Sequence, residues 1–399
     1  MSDWMKEDLE DRRRRGLYRE RRRMQSGSAA RVRLHDRELL NFSSNDYLAL
    51  AGDPRLARAA ARAARRYGCG AGASPLVSGY SPPLRALERA LAEWERCEAA
   101  LVFGSGYAAN LAVVGSIVGP GDAVFSDALN HASLIDGCRL SRAAVHVYRH
   151  NDLDQLADLL RNEGSRARRR LIVSDTVFSM DGDFARLSDL VELAERFDSL
   201  LLLDEAHATG VLGERGSGFT ESLSPGSWFP DRLIKVGTLS KALGAQGGFV
   251  CGSRRLIDWL VNRARPYIFS TALAPPIAAA ARAAVAIVQT EPERRTRVLA
   301  LAERLRRELQ AFGGNVGASS CQIVPLIVGG AHEAVSLSRR LEEAGFLVPA
   351  IRPPSVPEGS ARLRISITSG HSESDILCLT TTLRDCKGSF VQNQSGPIT

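Results

Sequence analysis

The sequence predicts an α/β protein with a mostly parallel sheet in a large domain, followed by a smaller C-terminal α/β domain. Three observations carry that expectation. Apolar, strand-like runs alternate with helical stretches between residues 48 and 287. Within them, Leu200 to Leu203 are four consecutive leucines with polar residues on either side, the pattern of a strand buried on both faces. Asp204 follows at the carboxyl end of that run, the place where open α/β sheets bind ligands. At 399 residues the chain is too long for one simple core and suits two or three domains.

The elements are expected in this order. Residues 5–24 are charged and free of proline, with one glycine at Gly16, and predict a helix. Residues 31–42 predict a short hairpin turning near Asp36 and Arg37, so that 1–47 forms an N-terminal arm. The large domain takes 48–287, with helices over 53–67, 82–96, 106–118, 152–163 and 187–197. Pro292 predicts a break in a long connecting helix, because the residue before a proline is pushed out of the helical region. Residues 288–399 form the smaller domain: an amphipathic helix at 293–312, strands at 322–329 and 361–368, and a helix at 331–344. The polar tail after Cys386 is expected to be loose.

Composition excludes several classes. No run of eighteen apolar residues occurs, so no transmembrane helix is expected. The seven cysteines are scattered, odd in number and without a CxxC pair, which predicts a reducing cytoplasm and no metal site. The acidic residues Asp3, Glu7, Asp8, Glu10 and Asp11 and the lack of an apolar stretch argue against a targeting leader. The net charge of +7 lies largely in Arg12 to Arg15 and Arg19 to Arg23. Acidic residues precede and interrupt that run, so it reads as a solvated face rather than a nucleic-acid arm. A positive field of this kind suits an anionic substrate.

Arginine supplies 48 of the 52 basic residues; the lysines are Lys6, Lys235, Lys241 and Lys387. Guanidinium stays protonated, so only lysine forms a Schiff base with an aldehyde. A lone lysine is most often solvated, and rarity does not choose between Lys235 and Lys241; their neighbours must. Lys241 lies in Thr238 to Gly244, between two apolar runs, about forty residues after Asp204. A strand-end acid and such a lysine are what a pyridine aldehyde cofactor requires, the acid to keep the ring nitrogen protonated and the amine to hold the aldehyde. Taken alone, Asp204 could equally cap a helix.

Further segments carry a resemblance: Asn41 to Leu48, Gly104 to Asn110, Asp127 to His131, Asp175 to Asp183, Asp204 to Gly210, Thr238 to Gly244, Ile351 to Pro357 and Ala361 to Arg364. In this order, over roughly residues 9–380, the chain resembles the α-oxoamine synthase family of pyridoxal 5′-phosphate enzymes. The resemblance implies fold type I, the aspartate-aminotransferase-like architecture, and a homodimer. It implies that Lys241 holds the cofactor and serves as base, that Asp204 faces its ring nitrogen, and that His207 meets its phenolic oxygen. His131 would stack on the ring, contact substrate and assist proton transfer. Gly106, Tyr107 and Ser179 would lie at the cofactor, with Thr238 and the partner subunit's copy of Thr271 at its phosphate. Arg19, Asn45, Ser355 and Arg364 would contact substrate, the Arg364 fork matching an amino-acid carboxylate.

The implied reaction joins a small amino acid to an acyl thioester with loss of carbon dioxide. The Ile351 to Pro357 segment points to L-alanine with a pimeloyl group on coenzyme A or acyl carrier protein; glycine with acetyl-coenzyme A is the alternative. A non-catalytic protein retaining the fold is a further one, against which the set Lys241, Asp204, His207 and His131 stands. Two positions depart from the family pattern. Pro75 stands where relatives usually carry arginine, and Leu84 where they commonly carry histidine.

Overall fold

The computed structural model describes residues 3–27, 30–34, 36–223 and 232–386. The chain divides into two compact units. The larger comprises Leu50–Phe178 and Phe184–Arg295. The smaller takes the residues up to Ala49, the segment Ser179–Asp183 and the chain from Thr296 onward.

A seven-stranded sheet organises the larger unit. Its order is Ala99–Phe103, Gly248–Gly252, Leu233–Thr238, Leu200–Asp204, Arg170–Asp175, Ala123–Asp127, Ala144–Tyr148. Only Gly248–Gly252 runs against its neighbours; the other pairings are parallel. The leucine run forms the expected central strand, and its side chains divide by the two-residue period of a strand. Leu202 joins a core with Leu171 and Val173 on one face, while Leu201 and Leu203 join Ile172 on the other. Register sets Asp175 opposite Asp204, so two carboxylates end adjacent strands at the same level.

Helices follow the expected stretches and start where side chains satisfy their first N–H groups. Asp53 caps Pro54–Tyr67, Ser105 caps Gly106–Ile117, and Asp152 caps Leu153–Asn162. Helix Pro275–Thr290 stops just before Pro292, and a new helix runs over Glu293–Ala311.

In the smaller unit Ile323–Gly329, Ala361–Ser366 and Ala350–Ile351 form an antiparallel sheet in that order. The hairpin Arg31–Leu34 and Arg37–Asn41 turns at Asp36 and accepts Phe346–Leu347 as a parallel third strand. Helix Glu373–Asp385, absent from the expected elements, is announced by a capping box between Ser372 and Asp375. The helix expected over 5–24 ends at Arg14. Gly16 adopts φ 65°, Leu17 N–H donates to Arg12 O and Gly16 N–H to Arg13 O, the glycine-terminated closure of a helix. The tail after Cys386 lies outside the described residues.

Candidate active site

Lys241 and Asp204 come together through the larger unit's sheet. Asp204 ends its strand buried, and its Oδ1 accepts from the Ala206 N–H at 2.8 Å, which closes a tight turn into His207. Lys241 follows strand Leu233–Thr238, its Nζ 2.8 Å from His207 Nε2. Lys235, the rival lysine, points elsewhere: it is buried and ion-paired to Glu95. The partners of the two amines thus separate a buried, ion-paired lysine from one set beside an imidazole.

His131 caps helix Ala132–Ser141 and is wired to Asp204. Its Nδ1 is 2.7 Å from Ser133 Oγ. Asn110 Nδ2 donates to that hydroxyl at 2.8 Å and to Asp204 Oδ2 at 2.6 Å. His131 N–H donates to Asp175 Oδ2 at 2.8 Å, and Asp175 N–H donates to Asn130 Oδ1 at 2.8 Å. Burial, and then the Asp204 charge, push the Asp175 carboxyl well above its ordinary range. His131 is exposed as a residue, with the Tyr107 ring edge-on to it. Desolvation of the imidazole lowers its pKa; Asp204 works against the shift and Lys241 adds to it. Asn110, Ser133 and Asp175 were not singled out from the sequence. Two of them lie inside motifs that were, but nothing local shows that their side chains meet.

Gly106 begins a twelve-residue helix, and a side chain placed there would come within 3.5 Å of Thr238. Thr238 Oγ1 is 2.8 Å from Ser240 Oγ and donates to Gly247 O at 3.0 Å. The helix start lies hard against the sheet, because a Cβ on Gly248 would fall 2.4 Å from Gly106 N. Tyr107 is exposed, hydrogen-bonds Asp136 through its hydroxyl and meets the His131 ring edge-on at 6.4 Å. Thr271 is exposed and, among the described residues, shares no hydrogen bond with Thr238, Gly106 or Tyr107.

Other expected site residues gather in the smaller unit. Arg364 is buried in strand Ala361–Ser366. It donates to Ser179 O at 2.5 Å, Asn45 Oδ1 at 3.0 Å, Ser366 Oγ at 2.7 Å and Tyr47 Oη at 3.3 Å. All four acceptors are neutral oxygens, and among the described residues no carboxylate forms an ion pair with it. Burial drives the Tyr47 phenol up to about 12, so it stays neutral beside the guanidinium. Arg364, Asn45 and Ser179 therefore form one cluster. Arg19 and Ser355 are not partners in it: both are exposed, Arg19 lining a separate cavity and Ser355 closing a turn onto Arg352 O.

The chain matches the family of class I and II aminotransferases over residues 37–382. The chain belongs to that family. Its relatives place it among the α-oxoamine synthases. An 8-amino-7-oxononanoate synthase from Anaeromyxobacter dehalogenans is 49% identical over 94% of this chain and 93% of its own. Among solved structures, serine palmitoyltransferase from S. paucimobilis with pyridoxal phosphate and myriocin bound superimposes with a TM-score of 0.90 at 27% identity, over 97% of this chain and 98% of that one. An 8-amino-7-oxononanoate synthase from Francisella tularensis gives 0.76 at 28% identity, over 88% and 99%. The fold is that of the aspartate-aminotransferase-like enzymes, as expected.

The two departures from the family's pattern have different local meanings. Leu84 is fully buried, a core side chain of helix Pro82–Trp94, where a histidine would need a polar partner. Pro75 opens a short wide turn, Pro75–Gly79, that leaves Leu76 and Val77 exposed.

Proposed function

We infer that the chain is a pyridoxal 5′-phosphate-dependent acyltransferase that condenses L-alanine with a pimeloyl thioester, on coenzyme A or acyl carrier protein, and releases carbon dioxide. The observation that carries this reading is an amine, an imidazole and a strand-end carboxylate gathered in one unit of a chain 49% identical to an 8-amino-7-oxononanoate synthase. The donor set fits the cofactor. An amine suits its aldehyde, a carboxylate its pyridinium, and a helix start beside a threonine hydroxyl its phosphate dianion.

When bound, the cofactor supplies an electron sink for negative charge at the amino acid's Cα. Lys241 would hold its aldehyde, and its Nζ, once free, would take the Cα proton. His207 sits against that nitrogen and would meet the phenolic oxygen. Asp204 keeps the ring nitrogen protonated, with its own orientation fixed by Ala206 N–H and Asn110. The Gly106 and Tyr107 N–H groups and the Thr238 hydroxyl would receive the phosphate. Ser179 is a further cofactor contact, and Thr271 serves the partner subunit's site in a homodimer. Arg364, which donates to Asn45 through Nη1 and has no carboxylate partner among the described residues, would receive a substrate carboxylate. His131 would cover the ring, steer the acyl group and assist proton transfer. Arg19, Asn45 and Ser355 contact substrate. No described helix is long and apolar enough to cross a membrane.

The coordinate likeness to serine palmitoyltransferase favours a second pair, serine with a long acyl thioester. Thiol release measured with alanine, glycine and serine, each against pimeloyl, acetyl and palmitoyl thioesters, decides the matter. Alanine with pimeloyl is expected to lead; a better rate with either other amino acid would overturn the substrate assignment. Lys241→Ala is expected to abolish turnover and the absorbance at about 420 nm that Schiff-base formation gives. Retention of both would remove Lys241 from its role.

A further inference from the structure

The smaller unit contains a cavity of about 1050 Å³ that the chemistry above leaves unused apart from Arg19. Six arginines and three glutamates line it, so positive charge is in excess. Three of the arginines have partners. Arg22 is ion-paired with Glu342, Arg37 donates to the carbonyls of Glu342 and Glu343, and Arg13 lies 4.1 Å over the Tyr18 ring. Arg19, Arg339 and Arg352 remain. Among the described residues no carboxylate forms an ion pair with any of the three, and Arg352 donates to the Gly16 carbonyl.

Three guanidinium groups around one space repel each other. Burial, followed by the charges of Arg19 and Arg339, pulls Arg352 below its ordinary value, although an arginine does not lose its proton at neutral pH. Such a cluster is relieved by an anion. A single carboxylate matches one guanidinium fork, whereas a phosphate offers more charge and several acceptor oxygens. Arg339 stands exposed on helix Ala331–Glu343 and Arg352 half-buried beyond strand Ala350–Ile351, so the cluster combines a held group with accessible ones.

We propose that Arg19, Arg339 and Arg352 form a phosphate-binding site for the pantetheine arm that carries the acyl chain. The proposal rests on the thioester reading above. Coenzyme A and a carrier protein both present phosphate on that arm, so the test separates them. Pimeloyl-coenzyme A, pimeloyl carrier protein and the pimeloyl thioester of N-acetylcysteamine are compared as substrates. The last keeps the thioester and the distal carboxylate but has no phosphate.

Arg339→Ala, an exposed helix position, is expected to raise KM about tenfold for at least one phosphate-bearing thioester, with kcat within about twofold and no change for the N-acetylcysteamine compound. Arg339→Glu is expected to lose about tenfold more, and added salt to narrow the gap between wild type and variants. Calorimetric binding of free coenzyme A and of the phosphopantetheinylated carrier protein reads the site without turnover. Weakening for coenzyme A alone or for the carrier protein alone identifies the source of the phosphate. The proposal is overturned if neither ligand is weakened in either variant, or if KM for the N-acetylcysteamine compound rises equally, since that would assign the cluster to the acyl chain. Wild-type enzyme inactive on all three thioesters would refute the function reading instead, and the binding experiment would still report on the cavity.

Discussion

The two internal lysines, Lys235 and Lys241, can be separated by experiment because removing each should damage a different property. Lys235 is buried and its ammonium meets a Glu95 carboxylate that is equally buried. Substituting Lys235→Met leaves that carboxylate without its counter-charge. Breaking a buried pair from one side costs about 3–5 kcal/mol. Total stability is on the order of 5–15 kcal/mol, so the loss is a large share of it. A shift of about 2–4 °C per kcal/mol for a unit of this size puts the melting temperature down by roughly 6–20 °C.

The damage should depend on pH. Burial holds Glu95 up at about 7, with Lys235 working against the shift and Glu205 adding to it. Without Lys235 the carboxyl rises further. A carboxyl whose folded pKa lies above its unfolded value favours the fold while protonated, and that contribution is lost as pH rises through the folded pKa. The Lys235→Met deficit is therefore expected to be small near pH 5.5 and large near pH 8. Melting is followed by circular dichroism at both pH values, together with absorbance after reconstitution with pyridoxal phosphate. Lys235→Met should keep the cofactor band below its melting point, while Lys241→Ala should lose the band and keep the melt. An unchanged melt for Lys235→Met, or a deficit that grows toward acid, would refute the assignment of the two lysines.

Three other substitutions probe the site. Asn110→Ala removes the donor shared by Ser133 and Asp204; hydrogen bonds to charged groups are worth about 1.5–3 kcal/mol, so kcat/KM is expected to fall about 10- to 100-fold with a displaced pH profile, and an unshifted profile would reduce Asn110 to packing. Arg364→Lys keeps the charge but loses the fork; the amino-acid KM is expected to rise about tenfold or more, with little change for the thioester, as measured by initial rates. Gly248→Ala places a methyl where Gly106 N already sits and is expected to weaken cofactor affinity about tenfold in an equilibrium titration, while a normal affinity would show that the helix start yields.

Much of the larger unit was legible because its signals are local. Four leucines with an acid behind them specify a strand and place the acid at its carboxyl end. The capping side chains Asp53, Ser105 and Asp152 mark helix starts within a residue or two. The first helix was misjudged because charge pattern dominated the reading, while Gly16 ended the helix through backbone geometry that the arginines after it do not reveal. The Asn110 bridge was hidden for another reason: it joins residues 23 and 94 positions apart, a fact of the sheet and not of any motif. Arg339 and Arg352 were hidden among 48 arginines, where nothing but three-dimensional grouping marks one from another.

Strand Arg37–Asn41 takes Phe346–Leu347 as its parallel neighbour, about 300 residues later in the chain. On a ribosome adding roughly 5–20 residues each second, the early hairpin waits on the order of 15–60 s for that strand to be made. Until then the apolar side chains Leu39 and Leu34, buried in the finished protein, lack a cover supplied partly by Leu347. The smaller unit thus matures last although its first residues are synthesised first, and truncation near the carboxyl terminus would strand the amino-terminal hairpin as an edge open to aggregation.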